Sequence, residues 1–253
     1  MRRIIFFGMS GEFSLIALRA MLDRGVNVIA VITFDATAPA DTAQRLYPQP
    51  VSDIPLLPSS PTPNIIHLAW QHTIPVFAVS STKPDLTSLF SQPELFCVVC
   101  FPKLFPKTWL NIPELGCLNL HPSLLPNYRG IAPLFWQFYY GETRTGVTLH
   151  FMNEGADTGD IVAQAEVKFP DGITSHEADR LTASAGAELL IDVLNQNPIR
   201  RKPQPVRALH KITTMPKQQD RLIPTSWSAR RAFNFIRGAD EWGPFEIKVK
   251  DKK

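Results

Sequence analysis

The sequence predicts an α/β fold: a mostly parallel sheet covered by helices on both faces, followed by a short basic C-terminal appendage. Three observations carry this expectation. The chain opens with an apolar run, a helical stretch and a second apolar run, "RRIIFFG", "FSLIALRAMLDRG" and "VNVIAVIT". More short apolar runs follow at "IPVFAV" (74–79), "LFCVVCF" (95–101) and "GCLNLH" (116–121). Such runs, bounded by turn signals, read as strands buried on both faces. Finally, the charge divides along the chain. Residues 1–199 hold 12 Lys and Arg against 18 Asp and Glu, a balance of −6, while residues 200–253 hold 14 against 5, a balance of +9.

In chain order, "RRIIFFG" ends its strand at a glycine. In the helix that follows, Leu15, Leu18 and Leu22 recur at helical spacing and Gly25 stops it. Strand, helix and strand at this spacing make a βαβ unit. Between 35 and 64 the periodicity fails, and seven prolines fall among Ala, Ser and Thr; the stretch reads as a mobile surface insertion. Strands resume at 74–79, 95–101 and 116–121, with short helical pieces between them. "TGVTLHFMN" (145–153) and "IVAQAEVKF" (161–169) are strands nearer the end of the sheet. A long helix runs from about Ile173 to Asn195, with Ser175 as its cap and Leu181, Leu189, Leu190 and Leu194 on its buried side. Beyond Gln196 the chain reads as an extended linker. "SWSARRAFNFIRGADEW" then forms a helix with Ala229, Phe233 and Ile236 on one side and Arg230 and Arg237 on the other, and "FEIKVKDKK" starts a strand. A segment this poor in apolar residues cannot build its own core, so it packs on the main body or begins a second unit.

With 253 residues, 44% of them hydrophobic, the chain can bury a sizeable core, and no apolar run reaches membrane-spanning length. The start fits a first buried strand better than a signal peptide. Three cysteines, an odd number, speak for a reducing, cytoplasmic compartment rather than a disulfide framework. Cys97 and Cys100 are spaced C-x-x-C but lie in an apparent strand, where positions three apart face opposite ways; they read as two core thiols. No metal is expected. His67, His72, His150, His176 and His210 lack ligand spacing and read as structural or surface residues. "GMSGEF" lacks the glycine spacing of a dinucleotide site, and Ser123 has no nucleophile elbow.

The chemistry concentrates in "GCLNLHPSLLPNYRG" (116–130). Asn119 and His121 are two apart on a strand that Pro122 ends, so both leave the same face at the rim. In an open parallel sheet, ligands bind beyond the carboxyl ends of the strands. An amide N–H and an imidazole N–H there can stabilise an oxyanion formed by attack on a carbonyl-type carbon. The same imidazole is the strand's one acid–base group. The plainer alternative is that both residues cap a strand end. The "PSLLP" loop turns back over the rim with backbone donors and acceptors open to a ligand. A carboxylate partner is expected from "NEGADTGDI" (153–161), where Glu154, Asp157 and Asp160 are equally placed by spacing alone, and each also suits a turn.

The stretch "NLHPSLLPNYRGIAPLFWQFYYGETRTGVTLHFMNEGADTGDIVAQ" (119–164) resembles the signature region of the formyltransferases that use 10-formyltetrahydrofolate. The Asn-x-His pair, the Ser-Leu-Leu-Pro loop and the Asp-Thr-Gly-Asp turn stand in the family's order and spacing. The resemblance implies a Rossmann-like formyltransferase fold, with a catalytic domain over 1–200 and a linker, helix and incomplete C-terminal domain over 201–253. It implies Asn119, His121 and Asp157 as catalytic residues, leaving Glu154 and Asp160 to the turn. It further implies Ser123, Leu124, Leu125 and Pro126 as a folate-binding loop, with Phe101 and Leu104 lining the pterin pocket.

Tyr128, Arg129, Gly130, Pro133 and Trp136 make a pattern similar to the branches that formylate methionyl-tRNA or nucleotide-linked amino sugars, with Arg129 as a substrate-binding residue. "TGVT" and "DTGDI" resemble the tRNA branch most. Against it, 35–64 carries only Arg45 beside Asp35, Asp41 and Asp53, where tRNA-acting relatives are basic, and the chain ends where a C-terminal barrel would begin. Trp242-Gly243-Pro244 also departs slightly from the relatives' turn. A non-catalytic folate-binding protein is the alternative from another class.

Overall fold

The expected βαβ unit opens the computed structural model, which describes residues 1–48, 63–90, 92–205 and 212–247. Strand β1 (Ile4–Gly8), helix α1 (Glu12–Asp23) and strand β2 (Val28–Phe34) are followed by β3 (Gln44–Leu46) and α2 (Ile65–Gln71). Then come β4 (Val76–Val79), β5 (Leu95–Val99), α3 (Lys107–Leu110), β6 (Cys117–His121) and α4 (Pro133–Tyr140). β7 (Arg144–Phe151), β8 (Ile161–Lys168) and α5 (Ser175–Leu194) complete the main body, and β9 (Leu222–Ile223), α6 (Ala229–Gly238) and β10 (Glu246–Ile247) follow. Eight strands form one sheet in the order β3-β4-β2-β1-β5-β6-β7-β8. The central strands run parallel, while β3, β7 and β8 pair antiparallel with their neighbours.

Alternation sorts the core into two layers. Ile4, Phe6, Val31, Cys97, Leu118 and Leu120 meet Leu18 and Met21 of α1, Leu68 of α2 and Leu190 of α5 on one face. Ile5, Phe7, Ile32, Phe96 and Val98 meet Phe105, Trp109 and Leu86 on the other. β6 takes part in both, since Leu118 and Leu120 lie in the first layer and Cys117 in the second. A third cluster holds α6 and the 3₁₀ turn after it against α4, through Phe135, Phe138, Ile223 and Phe235.

Several local expectations need correction. The N-cap of α5 is Thr174, not Ser175: its hydroxyl accepts from the Glu177 N–H at 3.2 Å, and Glu177 accepts from the Thr174 N–H at 2.9 Å. This is the Thr-x-x-Glu capping box, readable one residue earlier. Leu181 is exposed, as is the predicted apolar side of α6: Phe233 and Ile236 face outward, and Phe235 and Gly238 are buried. The burial follows α4, which α6 packs against, and not the tally of apolar residues. Cys100 lies past the end of β5 with φ +56° and is exposed, so only Cys97 and Cys117 are core thiols. The 35–64 stretch is not wholly irregular, because Gln44–Leu46 adds a strand to β4; its part from 49 to 62, within the expected mobile insertion, lies outside the described residues. β10 forms and pairs parallel with β9.

Leu120 is fully buried against the α5 face while its chain neighbours Asn119 and His121 point the other way. Leu120→Ala is expected to lower the free energy of unfolding by about 2–5 kcal/mol, read from the midpoint and slope of urea denaturation.

Candidate active site

β6 ends at His121, and its odd-numbered side chains Asn119 and His121 leave the sheet on the face opposite Leu118 and Leu120. The antiparallel register of β7 sets His150 opposite Asn119 and Thr148 opposite His121. Directly opposed residues share a face, so His150 joins the pair. The chain then turns before β8, and Asp157 sits in that turn with φ +51°, a left-handed conformation that Asp tolerates better than most residues. Gly159 lets the turn close, since a Cβ there would collide with the carbonyl of Phe151.

The Asp157 carboxylate gathers the site. Oδ1 accepts from Asn119 Nδ2 at 3.1 Å and lies 3.5 Å from His150 Nε2. Oδ2 accepts the Gly130 N–H at 2.8 Å and lies 3.7 Å from His121 Nδ1. His121 and His150 are buried, while the Asp157 side chain keeps 16% of its surface in contact with solvent. The expected trio of Asn119, His121 and Asp157 therefore meets at the rim.

Main-chain carbonyls fix both imidazoles. His121 Nε2 lies 2.8 Å from the Tyr128 carbonyl and His150 Nδ1 lies 2.8 Å from the Phe151 carbonyl. A carbonyl only accepts, so each of these nitrogens carries hydrogen. His150 Nε2 lies 3.1 Å from Asn119 Nδ2 and 3.5 Å from Asp157 Oδ1. Neutral His121 presents a bare Nδ1 toward Asp157. This corrects the expected role of His121 as a ready N–H donor: its N–H is spent on Tyr128, and Nδ1 donates only after taking up a proton.

Burial by itself would raise the Asp157 pKa, but His121, His150 and the Gly130 N–H outweigh it and hold the carboxyl well below the usual carboxylate range. Burial lowers the pKa of His121, and neighbouring His150 adds to this; Asp157 and the Tyr128 carbonyl only partly oppose it. At neutral pH the site pairs an ionised carboxylate with a neutral imidazole.

The "PSLLP" loop differs from expectation. Ser123 is buried, and its hydroxyl donates to the Asn127 carbonyl at 2.7 Å. Thr148 Oγ1 donates to the Ser123 carbonyl and accepts the Leu125 N–H, and Gln164 donates to the Leu125 carbonyl. Gln137 takes the Pro122 carbonyl, and the Asn127 N–H takes that of Leu124. The loop is a braced wall, with most of its polar backbone already paired. Leu125 is buried behind it, and Leu124 and Pro126 are partly exposed. Phe101, beyond the carboxyl end of β5, packs edge-on to Phe7, Phe34 and Phe105, and Leu104 is exposed. Arg129 commits Nε and Nη2 to Gln204 Oε1, at 3.1 and 2.6 Å.

His150, Gly130 and Gln204 were not expected at the site. Only His150 had a signal, the polar residue inside "TGVTLHF", and its partner depends on an antiparallel register that spacing does not reveal. Read from spacing as structural or surface, His150 is buried here beside Asn119 and Asp157. His67, His72 and His176 stand apart from the site, with His176 3.0 Å from Glu12, and His210 lies outside the described residues. Glu154 is exposed, and Asp160 lies 3.6 Å from Arg201. Among the described residues no cluster of His, Cys, Asp or Glu is arranged to hold a metal, and no helix is long and apolar enough to cross a membrane.

Comparison with known proteins bears on the same elements. The formyl transferase family model matches residues 2–194. The methionyl-tRNA formyltransferase of Geotalea uraniireducens is 38% identical over 247 residues, covering 95% of this chain and 73% of the relative. A methionyl-tRNA formyltransferase structure from Clostridium thermocellum superposes with a TM-score of 0.61 at 16% identity, over 99% of this chain and 89% of that one. A sugar N-formyltransferase structure from a Shewanella species gives 0.62 at 17% identity, over 94% and 88%. With a family model spanning most of its length and a relative of this identity and coverage, the chain belongs to the formyl transferase family.

Proposed function

We propose that the protein transfers the formyl group of 10-formyltetrahydrofolate to a primary amine, and that the amine is that of methionyl-tRNA. The observation that carries this reading is the meeting of Asn119, His121 and Asp157 at the carboxyl end of β6, in a member of the formyl transferase family. The tRNA acceptor is supported by relatives named for it at 32–38% identity and by the +9 balance of residues 200–253, which suits a polyanion. We assign catalysis to residues 1–200 and contact with the acceptor partly to 201–253.

The donor supplies an activated one-carbon acyl group, and the chain's residues do the rest. The partly exposed wall of Leu124 and Pro126 and the rings about Phe101, with Leu104 beside them, suit a flat heterocycle; buried Ser123 and Leu125 hold the wall in place. Arg129 lends positive charge at the rim. As the amine attacks, charge gathers on the formyl oxygen, and Asn119 Nδ2 is the donor placed to meet it, exchanging its 3.1 Å contact with Asp157. The amine proton passes to His121 Nδ1, whose cation Asp157 stabilises. That proton then leaves with the departing nitrogen as the new C–N bond stands and the old one breaks. The braced loop and the two carbonyl-held imidazoles keep these atoms aligned before substrate arrives.

The test mixes the protein with 10-formyltetrahydrofolate and follows tetrahydrofolate release with methionyl-tRNA, with a nucleotide-linked amino sugar, and with neither. Release with methionyl-tRNA supports the proposal, whereas release with the sugar alone moves the acceptor. Donor binding without release under any condition leaves a folate-binding protein.

Asn119→Ala and Asp157→Asn are each expected to lower kcat by roughly 10²–10³, the cost of one lost oxyanion donor or of the group that stabilises the protonated base.

The pH profile of kcat/KM should show one acid limb. His121 has its pKa lowered in the folded protein, so its reactive neutral form persists below the usual imidazole range and is lost only as pH falls past that lowered value. The limb's midpoint should therefore lie below 6.5, the ordinary histidine value. Asp157 favours the His121 cation, so residual activity of Asp157→Asn should show a limb at still lower pH.

A further inference from the structure

Gln204 stands in the stretch "RKPQPV", beyond the family match, where the sequence reads as a linker. Its amide is fully used. Nε2 donates to the carbonyls of Asp157 at 2.8 Å and Gly159 at 2.7 Å, while Oε1 accepts Nε and Nη2 of Arg129. Two donors and two acceptor sites are all that a glutamine amide has. One side chain thus joins the turn that carries Asp157 to the loop that carries Gly130, the backbone donor to that same carboxylate.

The surrounding chain reinforces the link at both ends. Lys202 and Ile161 exchange two backbone hydrogen bonds of 2.8 Å. Thr213 directs both its N–H and its hydroxyl to the Arg129 carbonyl, at 2.6 and 2.9 Å, and accepts the Ile131 N–H at 3.2 Å. A Cβ on Gly130 would collide with the Thr213 carbonyl, so the strap lies directly on the loop. Asp157 occupies the left-handed region, where a non-glycine residue stays only if its surroundings over-determine it. Its carboxylate lies 3.7 Å from His121 Nδ1, too far for a direct hydrogen bond that would set that distance.

We propose that Gln204 is a positioning residue for the Asp157 turn, which it holds at a set distance from the Arg129–Gly130 loop. This rests on the reading of Asp157 as part of the formyl-transfer machinery. A turn released by a fraction of an ångström would leave binding of the formyl donor intact and weaken the support that Asp157 gives to His121 as it takes a proton.

The test uses the full chain with Gln204→Ala and Gln204→Glu. The glutamate keeps acceptors for Arg129 but has no N–H for Asp157 and Gly159, so it separates the two halves of the bridge. Both variants are expected to lose kcat by roughly 10–100-fold, with KM for the formyl donor within about twofold. The second readout is the titration of the His121 imidazole by NMR in the absence of substrate. The groups that face this ring are Asp157, His150 and the Tyr128 carbonyl, with Glu142 behind the Tyr128 hydroxyl. Withdrawing Asp157 removes the charge that favours the cation, so both variants should titrate lower than the unaltered protein. Unchanged kcat and unchanged His121 titration would overturn the proposal, as would a lowered melting temperature with normal kcat and titration in the folded protein. If the unaltered protein transfers no formyl group to any amine, the functional reading fails, and the His121 shift still decides whether Gln204 holds the turn.

Discussion

The Asp157 carboxylate is the point on which the site depends. An ionised carboxylate with only 16% of its side-chain surface exposed is costly unless hydrogen-bond donors surround it. Here the donors come from separate parts of the chain, the Asn119 amide from β6 and the Gly130 N–H from the loop after it, with the imidazole edges of His121 on β6 and His150 on β7 close beside the carboxylate. All but His150 lie far from Asp157 in sequence, so the charge is tolerated only when the sheet edge, the loop and the turn are all in place. Folding and assembly of the site are the same event.

The sheet makes that assembly possible by changing direction at β6. Parallel neighbours β5 and β6 bring their carboxyl ends to one rim. Antiparallel β7 then runs away from that rim, and its register sets His150 beside Asn119. The turn from β7 into β8 carries Asp157 back to the same place. Had β7 continued in parallel, its side chains would be offset along the strand and its following turn would lie at the rim's own end. The core fixes the register: Leu118 and Leu120 on β6 and Val147 and Leu149 on β7 share the layer beneath α5. A slip of one residue would exchange that layer with the face bearing Asn119, His121 and His150.

Much of this was legible in the residues. The strands of the central sheet announced themselves through apolar runs bounded by Gly and Pro, and the placing of Asn119 and His121 on one face followed from the two-residue period. Spacing alone left Glu154, Asp157 and Asp160 undecided, because turn geometry, not composition, selects the one with φ +51°. His150 was missed because an antiparallel partner is a long-range property. The exposed side of α6 was misjudged for a related reason: Phe233 and Ile236 outnumber Phe235, but α4 and the chain after α6 close on the Phe235 side. The "PSLLP" loop reads as open in sequence because prolines leave carbonyls unpaired locally; the partners Thr148, Gln137 and Gln164 arrive from elsewhere in the fold. Gln204 gave no signal, since its neighbours have the composition of a linker.

The two carbonyls that hold the imidazoles decide the direction in which a proton can move. Had the Tyr128 carbonyl faced His121 Nδ1 instead, the hydrogen would sit on Nδ1 and the basic nitrogen, Nε2, would point away from Asp157. As built, the hydrogen is spent on Tyr128, and the 3.7 Å between Nδ1 and Oδ2 is too long for a direct hydrogen bond. The basic nitrogen is therefore kept in reserve beside a negative charge that can stabilise it only once it is protonated. Burial suppresses that protonation at rest, and the carboxylate favours it when a proton is delivered at close range. Such a pair needs no covalent intermediate to move a proton between two nitrogens of a substrate, provided the gap between ring and carboxylate is held constant. In the transfer proposed here, the segment beyond the family match that binds the loops of the site through Gln204 and Thr213 is what would hold that gap.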